Sequence, residues 1–176
     1  MTAFVALLRA VNVGGTGKLP MSELKAMCEA AGFKSVRTFI ASGNVVFASP
    51  RSEAQVKAAL EAKLAGYAGK PVAVMVRTAG EMAAVRDANP FPKAAPNRTV
   101  AIFLNAPPPP DAAENAVGRR DEDIAPGLRE LYVHYGDGMG QSKLKIPAAA
   151  AGTARNMNTV GKLADMAADL QRNERP

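Results

Sequence analysis

Residues 3–8, Ala-Phe-Val-Ala-Leu-Leu, carry an apolar side chain at every position. Alternate residues of a strand point to opposite faces, so such a run must be buried on both sides. That requirement rules out a sheet with one wet face and demands two covering layers. The next segments predict how the first layer forms. Asn12 to Lys18 is a glycine-rich loop. A helix is expected from about Pro20, a residue favoured at the first helical position. Met21, Leu24, Met27, Cys28 and Ala31 form its apolar stripe. Gly32 is the expected terminating residue, with Phe33 placed for the accompanying hydrophobic contact.

Two strands are predicted next, Val36 to Ala41 and Asn44 to Ser49, joined through Ser42-Gly43 as a two-residue hairpin turn. Ser52-Glu53-Ala54-Gln55 has the pattern of a capping box. The helix it opens should turn Val56, Leu60, Leu64 and Tyr67 inward. Lys70-Pro71 leads into a fourth strand, Val72 to Arg77. The order β-α-β-β-α-β over residues 2–77 is that of a ferredoxin-like split βαβ unit. The expected fold class is therefore α+β. Residues 1–77 form a ferredoxin-like half, packed as one compact unit with a mixed α+β half, 78–176. Helices of the first half cover one sheet face. The C-terminal half or another subunit must cover the other.

The second half predicts a short helix over 79–88, broken at Asn89-Pro90-Phe91-Pro92. Thr99 to Leu104 and Glu130 to Tyr135 read as strands. Pro107 to Pro110 is a rigid spacer. A polar helix is expected from Asp111, followed by a solvated acidic loop, Asp121-Glu122-Asp123. Asn158 is the expected cap of a final helix that turns Val160, Leu163, Ala164, Ala167 and Leu170 inward.

Composition narrows the chemistry. At 176 residues the chain is the size of one domain or two small halves. It has one Cys and one His, so an internal disulfide, a multi-Cys zinc site and any pair of imidazole ligands are excluded. No metal or cofactor is expected. No stretch approaches the roughly 20 apolar residues of a spanning helix, and no signal peptide is visible. The reading is a cytoplasmic protein with no membrane partner; oligomeric state stays open. Lys plus Arg exceed Asp plus Glu by 22 to 16, a net charge of +6, which suits an anionic partner.

Five segments together carry a family resemblance: LLRAVNVGG (7–15), RTFIASGNVVF (37–47), NPF (89–91), GMGQSKL (138–144) and TARNMNTVGKL (153–163). In that order they resemble an uncharacterised bacterial family, domain of unknown function 1697. The resemblance implies a cytoplasmic α+β protein built on ferredoxin-like halves, and it implies no reaction. Ala10 stands where the family usually has Gly, and Met157 where it usually has Trp.

Three places invite an anion. In the loop Asn12 to Lys18, Gly17-Lys18 matches the end of a Walker A loop. Asn12 replaces its first glycine and Leu19 its hydroxyl, so the loop is either a looser anion cradle built around Gly14 and Gly15 or a plain tight turn. Arg155 and Asn156 precede the last helix and either meet an anion or serve as solvated residue and cap. Ser142 and Lys143 follow the glycines of 136–140. Adjacent residues rarely make a nucleophile–base pair, and a loop carrying Lys143 to an anion fits better. Segments 1–22, 30–52 and 138–164 contain no Asp or Glu and hold nine basic residues. The expected site is thus a basic cleft made of Arg9, Asn12, Gly14, Gly15, Lys18, Ser42, Asn44, Ser142, Lys143, Arg155 and Asn156. Its ligand would bear phosphate, as a nucleotide or nucleic acid does. Two alternatives stand beside it. One is an enzyme acting on a phosphorylated substrate, although these segments offer no general base. The other is a structural protein whose asparagines satisfy backbone groups. His134 and Cys28 are expected to be structural.

Overall fold

A computed structural model describes residues 1–12, 18–136 and 139–174. The chain forms two compact units, Met1–Ala83 with Lys162–Pro176, and Ala84–Gly161. The sequence alone suggested a division at 77/78. The observed division returns the end of the chain to the first unit.

The first unit contains β1 (Thr2–Leu8), α1 (Met21–Ala30), β2 (Lys34–Thr38), β3 (Asn44–Ser49), α2 (Glu53–Ala68) and β4 (Val74–Thr78), the element order expected over 2–77. Its sheet runs β2-β3-β1-β4, with every neighbouring pair antiparallel. The apolar strand β1 is central, with Val5 between Val46 and Arg77. Phe4, Ala6, Leu8, Val45, Phe47, Val74 and Val76 pack on Leu24, Met27 and Cys28 of α1 and Val56, Leu60 and Leu64 of α2. The two helices end and begin as their sequences require. Gly32 adopts φ +88°. Its amide donates to Glu29 O (3.0 Å) and the Phe33 amide to Cys28 O (3.1 Å), the paired bonds of a Schellman motif. That turn delivers the Phe33 ring onto Phe47. Ser52 and Gln55 exchange both bonds of the capping box.

The opposite face of this sheet, with Ala3, Val5, Leu7, Val46 and Met75, is also buried. Part of a last helix, α4 (Met157–Asn173), lies against it. Val46 shares a small cavity with Asp169 and Leu170. The Ala3 amide donates to Gln171 Oε1 (2.8 Å), and Gln171 Nε2 donates to Met1 O (3.2 Å). The same chain therefore supplies cover for the second face.

The second unit has β5 (Thr99–Phe103), β6 (Asp123–Pro126), β7 (Glu130–His134) and β8 (Thr153–Asn156), in the antiparallel order β6-β7-β5-β8. The helix α3 (Ala79–Asp87) runs from the first unit into it. Val100, Ile102, Leu131 and Val133 build one core. On the other face Tyr132 is buried and its hydroxyl donates to Val85 O (2.7 Å).

Several expectations change. Residues 39–43 connect β2 to β3, so the connection is longer than the two-residue turn predicted. Asn44 holds it, donating from Nδ2 to Phe39 O (2.9 Å) and Ser42 Oγ (2.9 Å). Tyr67 is 48% exposed instead of inward, one turn past the last core position, Leu64. The segment after Asp111 forms turns, because a short run with one buried side chain, Ala112, offers little packing to offset helix nucleation. Two strands have no strand signal in their own residues, β6 and β8, each four residues long and poor in β-branched side chains. Asn156, not Asn158, caps α4, accepting at Oδ1 from the Thr159 amide (2.9 Å). Among the described residues no helix is long and apolar enough to cross a membrane.

Cys28 sits in the first core at 0% exposure, and burial, with a smaller push from Glu29, raises its thiol to about 12. Native-state alkylation at pH 8 is expected to be at least a hundredfold slower than in denaturant, because both access and thiolate are lacking. Comparable rates in the two conditions would refute that placement.

Candidate functional site

The strongest local construction gathers at the end of β1. The Leu8 amide donates to Gly43 O (2.9 Å), which brings the 39–43 connection beside residues 9–12. Asn12 then ties three segments together. Its Nδ2 donates to Leu19 O and to Ala41 O (both 2.8 Å), and its Oδ1 accepts from the Leu19 amide (2.7 Å). Asn12 also adopts φ +54°, a left-handed conformation that asparagine tolerates well. So this side chain closes the base of the glycine-rich loop, and its polar atoms are spent on backbone. Ala10 adopts φ +55°, where glycine is favoured.

Of the expected site residues, Arg9, Asn12, Lys18, Ser42 and Asn44 belong to the first unit. The bonds above join Asn12 to the 39–44 segment that contains Ser42 and Asn44. Asn44 is fully buried and holds the turn. Gly14 and Gly15 lie outside the described residues.

Beside this construction is a cavity of about 250 Å³. Val11, Leu19, Leu64 and Val72 give it apolar walls, Tyr67 stands at it, and Lys18 and Lys70 are its charged lining residues. No carboxylate lines it among the described residues. Neither Tyr67 nor Lys70 carries a local signal for this cavity: in sequence the tyrosine continues the α2 stripe and the lysine precedes a strand.

Ser142, Lys143, Arg155 and Asn156 belong to the second unit. Arg155 and Asn156 are neighbours on β8 and point to opposite sheet faces. Arg155 is 7% exposed, donating from one guanidinium nitrogen to Thr153 Oγ1 (2.6 Å) and Ala154 O (2.9 Å). Burial lowers its pKa to about 10, so it stays charged at neutral pH. Asn156 is the cap of α4. Ser142 Oγ donates to Glu122 Oε1 (2.6 Å), and Glu122 Oε2 accepts from the Arg120 amide (2.6 Å). The Ser142 bond, then the backbone bonds, hold this carboxyl below its usual range. Glu122 is 4% exposed while Asp121 and Asp123 on either side of it are exposed, so the acidic segment is solvated except at Glu122. A segment free of acids in sequence meets one in space.

His134 Nδ1 lies 3.3 Å from Thr99 Oγ1, and its ring packs near Phe91. Among the described residues no group of three or more His, Cys, Asp or Glu is arranged to hold a metal ion.

The profile of a protein family of unknown function, DUF1697, matches residues 1–132. The chain belongs to this family. The match spans the Asn12 construction, the Lys18 cavity, and β1 through most of β7; the last two sequence motifs lie beyond it. The DUF1697 chain is also similar to the solved structure of a conserved bacterial protein, SP0830, from Streptococcus pneumoniae. The two are 24% identical, with a TM-score of 0.77 over 94% of this chain and 98% of that one. That likeness extends the shared fold through both units. No curated protein matches the sequence.

Proposed function

We propose that this DUF1697 protein binds a phosphate-bearing ligand, a nucleotide in the first instance, at the Lys18 cavity of its first unit. The observation that carries this reading is the lining itself. Two lysines face a cavity with apolar walls and no acid, and a half-exposed tyrosine stands with them. Phosphate meets the ammonium groups through charge-assisted bonds, each contributing about 1.5–3 kcal/mol. An aromatic base finds a ring face on Tyr67. Anchoring of the loop base by Asn12 supports a site that is formed before the ligand arrives. No imidazole or carboxylate lines the cavity among the described residues, which favours binding over catalysis.

The test is titration calorimetry of the full chain with AMP, ATP and a 12-nucleotide single strand. The expected result is saturable binding that weakens about tenfold or more in Lys18→Gln and again in Lys70→Gln, with unchanged melting temperature. Mild salt dependence identifies a single nucleotide; a steep one identifies nucleic acid. No binding by any of the three, or equal binding by the double variant, sinks the proposal.

A further inference from the structure

The second unit has its own cavity, unrelated to the lysine pair. One face of its sheet presents Val100, Ile102, Leu131 and Val133, with Ile124 beside them. Among the described residues the cluster on this face draws no residue from an α-helix. Its cover includes Ala112, Ala116, Ala148 and Ala149, four small side chains, with Leu144 and Ile146, all from turns, loops and a single 3-10 turn. A cover of that kind leaves room. The space left is a cavity of about 530 Å³, inside the roughly 300–1,000 Å³ range of small-ligand sites.

Its walls are held in place without a ligand. The Val117 amide donates to Lys145 O and the Lys145 amide to Val117 O, both at 2.8 Å, so the 144–150 strap is pinned to residue 117. The Ala149 amide donates to Ile146 O (2.9 Å), which fixes the turn that follows. Gly118, at φ +71°, passes so close to Lys143 that a Cβ would stand 2.2 Å from the Lys143 carbonyl oxygen.

The lining is aliphatic apart from Tyr135 and Lys145. Among the described residues, Lys145 is the only charged side chain on it and no carboxylate lines it. The nearby Glu122 carboxylate is engaged by Ser142 and Arg120. Val117, an apolar residue of the lining, is 56% exposed.

We infer that this cavity binds an apolar monocarboxylate, a molecule with an alkyl body and one anionic head. The body fills the space between sheet and strap, and the head meets Lys145. A single cation in an aliphatic lining matches one negative charge on an otherwise apolar ligand, and it does not suit the several charges of a nucleotide.

The experiment is titration calorimetry of the full chain with hexanoate, octanoate and decanoate, and with decanol as the uncharged control. Each added methylene is expected to tighten binding about fourfold. Lys145→Gln should weaken decanoate about fivefold or more while leaving decanol unchanged. Ala150→Trp fills the cavity and should abolish binding of both. If that variant does not fold, Val117→Asp, at an exposed position, places a carboxylate on the lining and should weaken decanoate at least tenfold. Affinity that ignores chain length overturns the inference. So does decanoate binding unchanged in Val117→Asp, or the absence of binding to the unmodified chain.

Discussion

Phe47→Ala is expected to destabilise the protein by about 3–5 kcal/mol, the range for truncating a fully buried aromatic. Phe47 has 0% exposure and sits on β3 between the strands and helices of the first unit. Its ring stacks on Phe33 with centroids 4.2 Å apart and planes 7° from parallel. Phe4 meets it from the neighbouring strand at 6.0 Å. Truncation removes both aromatic contacts and leaves a cavity that Phe33 cannot fill, because the Schellman turn at Gly32 fixes where that ring enters. For a chain of this length the loss corresponds to roughly 6–20 °C in melting temperature. Phe47→Leu, which keeps most of the volume, should lose much less. Thermal denaturation followed by circular dichroism checks both, and a Phe47→Ala shift under about 3 °C would contradict the packing described.

Gly43→Ala carries the second largest expected effect, about 2–4 kcal/mol. Two costs add. The residue adopts φ +88°, and alanine in left-handed backbone loses roughly 1–2 kcal/mol. A Cβ there would also stand 2.5 Å from Val11 Cγ2 and 2.9 Å from Leu8 Cβ. Both neighbours are buried, so neither side chain can simply swing away. The connection through Gly43 must shift, and it carries the Leu8–Gly43 bond and the Ala41 carbonyl that Asn12 holds. Gly69→Ala separates the two costs. Gly69 has φ +70° but open space where its Cβ would be, so only the conformational part applies. Equal melting-temperature losses in the two variants would show that the steric contact is absent.

These two residues show what kind of information the sequence holds. The placement of Phe47 inside was readable because β3 is a run of apolar residues and period 2 assigns its faces. Gly32 and the Ser52 capping box are readable because each matches a recurrent motif with fixed residue types at fixed spacing. Gly43 reads as a turn residue, and the turn it belongs to spans residues 39–43 rather than two residues. The Asn44 side chain sets the longer connection by holding Phe39 O, and a side-chain bond across five residues leaves no periodic trace. Likewise β6 and β8 are strands because β7 and β5 offer them hydrogen-bonding edges, not because their own residues favour extension.

The candidate site divides the same way. From the glycines and Lys18 alone, the loop after β1 was visible as a place of interest. Nothing local in the sequence relates the 42–44 turn to that loop. The antiparallel register of β1 with β3 decides this, since Leu7 opposite Asn44 puts the end of one strand at the start of the other. Tyr67 and Lys70 join Lys18 only because α2 returns along the sheet to that end. In the second unit, Glu122 and Ser142 are twenty residues apart and hydrogen-bonded. By itself the sequence determined α1, α2 and the central strand, with the Gly32 turn and the Ser52 cap, because burial periodicity and local hydrogen bonds act within a few residues. The tertiary structure decided which loops meet, which strands pair at the edges and which carboxylate is engaged by a distant hydroxyl, because those depend on contacts between segments that share no local signal.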